Sequence, residues 1–161
     1  MTPSMLRLRV LAAIGASGLA VLSAEACGSS PSTPTEHADA SADAVAGAMR
    51  EAVARLRARI PGVRVVGATL TPALNATNPG YGTRKQDDSR RALNAFIKTS
   101  GVFDAVADFD AVILDPATGE IREPFVPETT TGRPGDKLHP NRAGYLAMGE
   151  AIDLAVFGVS Q

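Results

Sequence analysis

An aspartate stands three residues ahead of a histidine near the C-terminal end of the chain, in Asp136-Lys137-Leu138-His139-Pro140-Asn141. A neutral imidazole can take the proton of a hydroxyl nucleophile during attack and pass it to a leaving alcohol. A buried carboxylate beside the ring holds the useful tautomer and stabilises the imidazolium that forms. The spacing lets one turn of backbone leading into a helix present both side chains. Pro140 suits the first helical position, which needs no N–H and wants the φ that the pyrrolidine ring imposes. Gly135 gives the preceding loop its freedom. On spacing alone a second reading stays open, in which Asp136 caps the helix and His139 is an ordinary residue at its start.

An acid–base pair needs a nucleophile to serve, and no serine stands in an evident strand-and-tight-turn setting to supply one. Upstream of the first clear helix the nearby serines are Ser29, Ser30, Ser32 and Ser41, the first three within Cys27-Gly28-Ser29-Ser30-Pro31-Ser32-Thr33-Pro34. That Pro/Ser/Thr-rich stretch reads as a linker rather than a strand and a tight turn. The nucleophile is therefore unknown. A metal set of His37, Asp136 and His139 is a poor alternative, because His37 lies in the same linker and two neighbouring ligands do not make a site. No metal and no cofactor is implied.

The elements that must position the pair follow an α/β pattern. Residues 43–60 carry Val45, Met49, Val53, Leu56 and Ile60 at helical spacing, with Glu51 four residues ahead of Arg55, and Pro61-Gly62 stops the run. Residues 63–70 form a β-branched run suited to a buried parallel strand. A loop over 71–86, rich in proline and glycine, leads to a second helix opening at Asp87 or Asp88 and ending near Gly101. A second strand falls within 102–108 and a short helical turn within 111–114. A long loop, 115–135, ends at the pair. The final helix, 141–157, is apolar nearly all round, with Tyr145, Met148, Ile152 and Val156 on one stripe, and so wants a sheet to cover it. The basic residues Arg50, Arg55, Arg57 and Arg59 read as the solvated face of the first helix.

The block from Gly135 to Asp153, Gly-Asp-Lys-Leu-His-Pro-Asn-Arg-Ala-Gly-Tyr-Leu-Ala-Met-Gly-Glu-Ala-Ile-Asp, resembles the last conserved block of the SGNH hydrolases, the GDSL-type esterases and lipases. Gly67-Ala68-Thr69-Leu70-Thr71-Pro72, Arg91-Ala92-Leu93-Asn94-Ala95-Phe96-Ile97 and Phe103-Asp104-Ala105-Val106-Ala107-Asp108-Phe109-Asp110 resemble the strand, helix and strand ahead of it. The resemblance runs over residues 43–157 and places Asp136 and His139 on the catalytic acid and histidine positions. It implies a serine hydrolase acting on a small ester, acyl or carbohydrate, and a flavodoxin-like α/β/α sandwich of three layers. The family blocks that bring the serine and the glycine and asparagine of the oxyanion hole have no counterpart here, and Asn75 and Asn78 come in the wrong order to replace them. The reading is a C-terminal portion of the fold with an incomplete sheet. Its missing partner is the N-terminal half-domain, and an apolar patch is expected where that half would dock. A non-catalytic binding module built on the same half is the alternative.

Ahead of the domain, Arg7 and Arg9 precede an uncharged apolar run over 10–24, and Ala24-Glu25-Ala26 gives a small-x-small cleavage pattern. Residues 1–26 read as a signal peptide, 27–42 as linker and 158–161 as a tail. The apolar run is short for a membrane span. Export follows in one of two modes: simple secretion, or attachment at the cell envelope through a lipid on Cys27. Cys27 is the only cysteine, so no intramolecular disulfide can form. With 161 residues and a net charge of −1, the chain is a single domain with no electrostatic footprint for nucleic acid.

Overall fold

A computed structural model of the chain describes residues 41–129 and 131–157. The elements run α1 (Ala42–Arg59), β1 (Val66–Ala68), α2 (Arg84–Thr99), β2 (Ala105–Ala107), α3 (Phe109–Ile113) and α4 (Arg142–Glu150), with 3₁₀ turns at Glu123–Phe125 and Leu154–Phe157. β1 and β2 pair in parallel, Val66 opposite Ala105 and Ala68 opposite Ala107, with α2 as the crossover between them. The architecture is a partial α/β domain, and its sheet has two strands among the described residues.

Each helix starts where a side chain can take up its free N–H groups. Ser41 accepts from Ala44 N at 3.2 Å and begins α1. Thr83 and Gln86 form a reciprocal capping box, so α2 begins at Arg84, ahead of the aspartates expected to open it. Asp108 caps α3, which starts at Phe109 rather than Ala111. α1 and α2 pack together through Ala46, Leu93 and Ile97, flanked by Val45, Met49, Phe96 and Phe103. Phe103 meets Phe96 edge-on at 6.4 Å, and the Arg50 guanidinium lies 4.4 Å from the Phe96 ring centroid.

The final helix is shorter than its apolar pattern suggests. α4 ends at Glu150, and Asp153 accepts from Ala155 N at 2.8 Å to start a separate turn. The expected stripe is thereby broken between Met148 and Val156. Of that stripe Tyr145 is 48 % exposed, whereas Met148, Ile152 and Val156 are half-buried; off it, Leu146 is 62 % and Leu154 48 % exposed. These side chains form an apolar surface that no described residue covers.

β1 is also shorter than the β-branched run 63–70, and β2 fills only part of 102–108. Asp104 N donates to Val65 O at 2.8 Å and Thr69 N to Ala107 O at 3.1 Å, so Val65 and Thr69 turn their peptide groups toward β2. By strand alternation, the peptide groups of Val66, Ala68 and Leu70 face the other way. Leu70 is capped there by Asn94, which accepts from Leu70 N and donates to Leu70 O, both at 2.8 Å. Beyond that point a side chain does the work of a neighbouring strand. The outward peptide groups of Val66 and Ala68 have no partner among the described residues.

Candidate active site

The loop carrying Asp136 is fixed from both sides. Gly135 has φ 94°, and a Cβ there would lie 2.0 Å from Val126 O, so the backbone passes where only glycine fits. On the far side, Asn141 caps α4 by accepting from Ala143 N at 3.0 Å and Gly144 N at 3.1 Å. Its amide donates back to Pro124 O at 3.0 Å and Pro127 O at 2.9 Å, fastening the helix to the 3₁₀ turn. Pro140 is therefore outside the helix, one residue before the cap, and not at the first helical position expected from the sequence. The cap moves because the Asn141 side chain satisfies the first N–H groups of α4 itself. The same fact excludes Asp136 as the cap.

The two oxygens of Asp136 divide their work. Oδ1 accepts from the backbone N–H groups of Leu138 at 2.9 Å and His139 at 2.8 Å, while Oδ2 lies 2.7 Å from His139 Nδ1. Burial raises the Asp136 carboxyl. The His139 N–H, the His139 ring and the Leu138 N–H together outweigh it and hold the group well below the ordinary carboxylate value. A carboxylate only accepts, so the shared proton sits on Nδ1 and leaves the Nε2 lone pair free to act as a base. The carboxylate is buried and the imidazole half-exposed, with 43 % of the ring side chain open to solvent.

Around the pair, Thr77 N donates to the Asp136 carbonyl at 3.0 Å, tying loop 71–83 to the site. Lys137 Nζ donates to Glu120 Oε2 at 2.8 Å. Beside Leu138 opens a cleft of about 520 Å³, floored by Ala68, Thr69 and Leu70 and walled by Leu74, Tyr145 and Met148. Arg90, at the back of this cleft, is buried between Asp87 and Asp110 and donates to Leu70 O at 3.3 Å. Asp87 is raised by burial, and the facing Arg91 and Arg90 guanidiniums bring it below its ordinary value overall. Sequence reading missed this buried network, although Asp87, Arg90 and Asn94 recur at helical spacing on the stripe that also carries Leu93 and Ile97.

None of the described serines serves His139. Ser41 caps α1, Ser89 Oγ donates to Lys85 O at 3.1 Å within α2, and Ser100 Oγ accepts from Val102 N at 3.3 Å. Cys27, His37 and the other serines near the linker lie outside the described residues. Among the described residues no group of three or more His, Cys, Asp or Glu side chains is placed to hold a metal ion. No described helix is long and apolar enough to cross a membrane.

Comparison with the curated proteins gives no match. Residues 27–147 match the GDSL-like Lipase/Acylhydrolase family, a span that takes in both strands, the crossover helix and the bonded Asp136 and His139. Fold class, order of elements and family match agree, and the chain belongs to the GDSL-like lipase/acylhydrolase family, whose function is of the esterase and lipase type.

Proposed function

We propose that this chain is the acid–base half of an exported serine ester hydrolase and does not turn over esters by itself. The observation that carries the reading is the 2.7 Å contact of His139 Nδ1 with an Asp136 carboxylate already held by two N–H donors. In the completed site, Nε2 takes the proton of a serine hydroxyl as its oxygen bonds to the ester carbonyl carbon. As that intermediate collapses, the bond to the alcohol oxygen breaks and Nε2–H returns the proton to the leaving alcohol. Water then bonds to the acyl carbon as Nε2 takes its proton, the bond to the serine oxygen breaks, and Nε2–H returns the proton to that oxygen, releasing the acid. Asp136 keeps the proton on Nδ1 throughout and offsets the charge of the transient imidazolium. Small acyl esters and acetylated carbohydrates are the substrate class.

Inactivity alone is supported by the absence of a Gly-Asp-Ser string and by the structural duties of Ser41, Ser89 and Ser100. The purified chain is expected to hydrolyse p-nitrophenyl acetate no faster than a heat-treated control. Grafting a related N-terminal half, with its serine and oxyanion donors, ahead of Ser41 should restore turnover. Turnover by the ungrafted chain that vanishes in His139→Ala would refute the half-site reading.

Export is supported by the Arg7, Arg9 and apolar 10–24 pattern. A reporter fused to residues 1–35 should leave the cytoplasm, and Cys27→Ala separates secretion from lipid attachment by releasing only a lipidated fusion. A second reading, a non-catalytic module that binds a partner segment, is favoured by the apolar cleft beside the open edge of β1.

A further inference from the structure

Two residues with left-handed backbone brace the pair, and neither is glycine. Lys137 has φ 56° and Asn75 φ 59°. The Cβ crowds a carbonyl oxygen in this region, so L residues occupy it about tenfold less readily than right-handed backbone. Both side chains reach one carboxylate: Lys137 Nζ donates to Glu120 Oε2 at 2.8 Å and Asn75 Nδ2 to Glu120 Oε1 at 2.6 Å. Glu120 stands on a firm base. Its N–H donates to Thr118 Oγ1 at 3.2 Å, its carbonyl accepts from Asp115 N at 2.9 Å, and the adjacent Ile121 is buried and bridged to Leu114. The Lys137 ammonium first, then the Asn75 amide, hold the Glu120 carboxyl below its ordinary value, so it grips as an anion.

Lys137 lies between the acid and the histidine. Its left-handed turn folds the N–H groups of Leu138 and His139 back onto Asp136 Oδ1 and sets the ring against Oδ2. We propose that Glu120 is a positioning residue for the pair, holding Lys137 in the left-handed turn that keeps His139 Nδ1 on Asp136. The proposal rests on the hydrolase reading for its catalytic consequence alone, since the positioning is present in the chain without a nucleophile.

The test reads the His139 tautomer by nitrogen NMR in the full chain. There are two histidines, so His37→Gln leaves a single ring signal. Lys137→Ala removes the ammonium and keeps the Cβ, whereas Lys137→Gly removes both and is at ease in the left-handed turn. The Asp136-bonded Nδ1–H form is expected to fall about tenfold against its alternatives in Lys137→Ala and in Glu120→Gln. It should survive in Lys137→Gly and return when Lys137→Gly is added to Glu120→Gln. Glu51→Gln, which breaks an exposed pair on α1, should leave it unchanged. Should Glu120→Gln fail to fold, the comparison of alanine with glycine at position 137 decides alone. If both variants keep the tautomer, the grip holds nothing; if both lose it, Lys137 acts by charge and not by backbone, and either outcome overturns the proposal. A grafted enzyme that is inactive while alanine and glycine still differ refutes the hydrolase reading and leaves the positioning role standing. An active graft in which they behave alike refutes the positioning role.

Discussion

Around Asp136 both carboxylate oxygens and the peptide carbonyl are taken, whereas along the outer edge of β1 the peptide groups of Val66 and Ala68 meet no partner among the described residues. The first region is built from contacts local in sequence, Asp136 with Leu138 and His139, and from loops that reach it. The second is a strand edge, which only a further strand could complete. The difference teaches that an acid–base pair can be fully organised in loops beside a strand whose outer edge has no partner among the described residues. Its support comes from Gly135, Glu120 and Asn141 rather than from a finished β-layer.

The comparison breaks most visibly in catalysis. In the grafted enzyme, His139→Ala should remove nearly all ester turnover, and Asp136→Asn should lower kcat on the order of 10⁴-fold by inverting the tautomer. Glu128→Gln, an exposed acid off the site, should keep most of the activity. Asp108 and Asp110 are poor controls despite lying outside the motif, since Asp108 bonds Thr69 and Asp110 pairs with buried Arg90. If Asp136→Asn matches Glu128→Gln while His139→Ala is dead, the carboxylate is structural and the local organisation has no catalytic meaning.

The next effect concerns stability beneath the cleft. Arg90→Met should cost about 3–5 kcal/mol in denaturant unfolding, because it strands Asp110 as a buried charge and leaves Asp87 with Arg91 alone. A loss below about 1 kcal/mol, the usual size for an exposed ion pair, would mean that the network is well hydrated and the cleft floor is not set by it.

A smaller effect separates the two halves of the strand edge. Amide exchange should be fast at Val66 and Ala68 and slow at Thr69 and Leu70, and Asn94→Ala should speed Leu70 alone while costing about 2 kcal/mol for two lost hydrogen bonds. Equal protection at Ala68 and Leu70 would show that something already covers the edge.

The smallest effect is the pH dependence of folding. Asp136 has a folded-state pKa below its ordinary 3.8, so its stabilisation is complete above that value and fades as pH falls beneath it. Wild type should lose more stability than Asp136→Asn between pH 5 and pH 3. Parallel curves would mean that the hydrogen bonds to Asp136 do not favour its charged form.

The sequence by itself determined what depends on near neighbours. The Asp136 and His139 spacing, the β-branched run around β1, the short strand within 102–108, the crossover helix and the family block are all legible because each is a local pattern. The Thr83 and Gln86 capping box was equally local and could have been read from its spacing. Tertiary structure decided the rest. Which residue caps α4 was decided by Asn141, whose side chain takes the helix N–H groups while its amide reaches Pro124 and Pro127. Glu120 is joined to the pair only in three dimensions, through Lys137 and Asn75, residues far from it along the chain. Nothing local marks Arg90 and Asp110 for burial; the fold buries them against each other. Periodicity reports which face of an element is apolar, but a polar side chain is buried or exposed according to the partner that another element brings, and that pairing is fixed only in three dimensions.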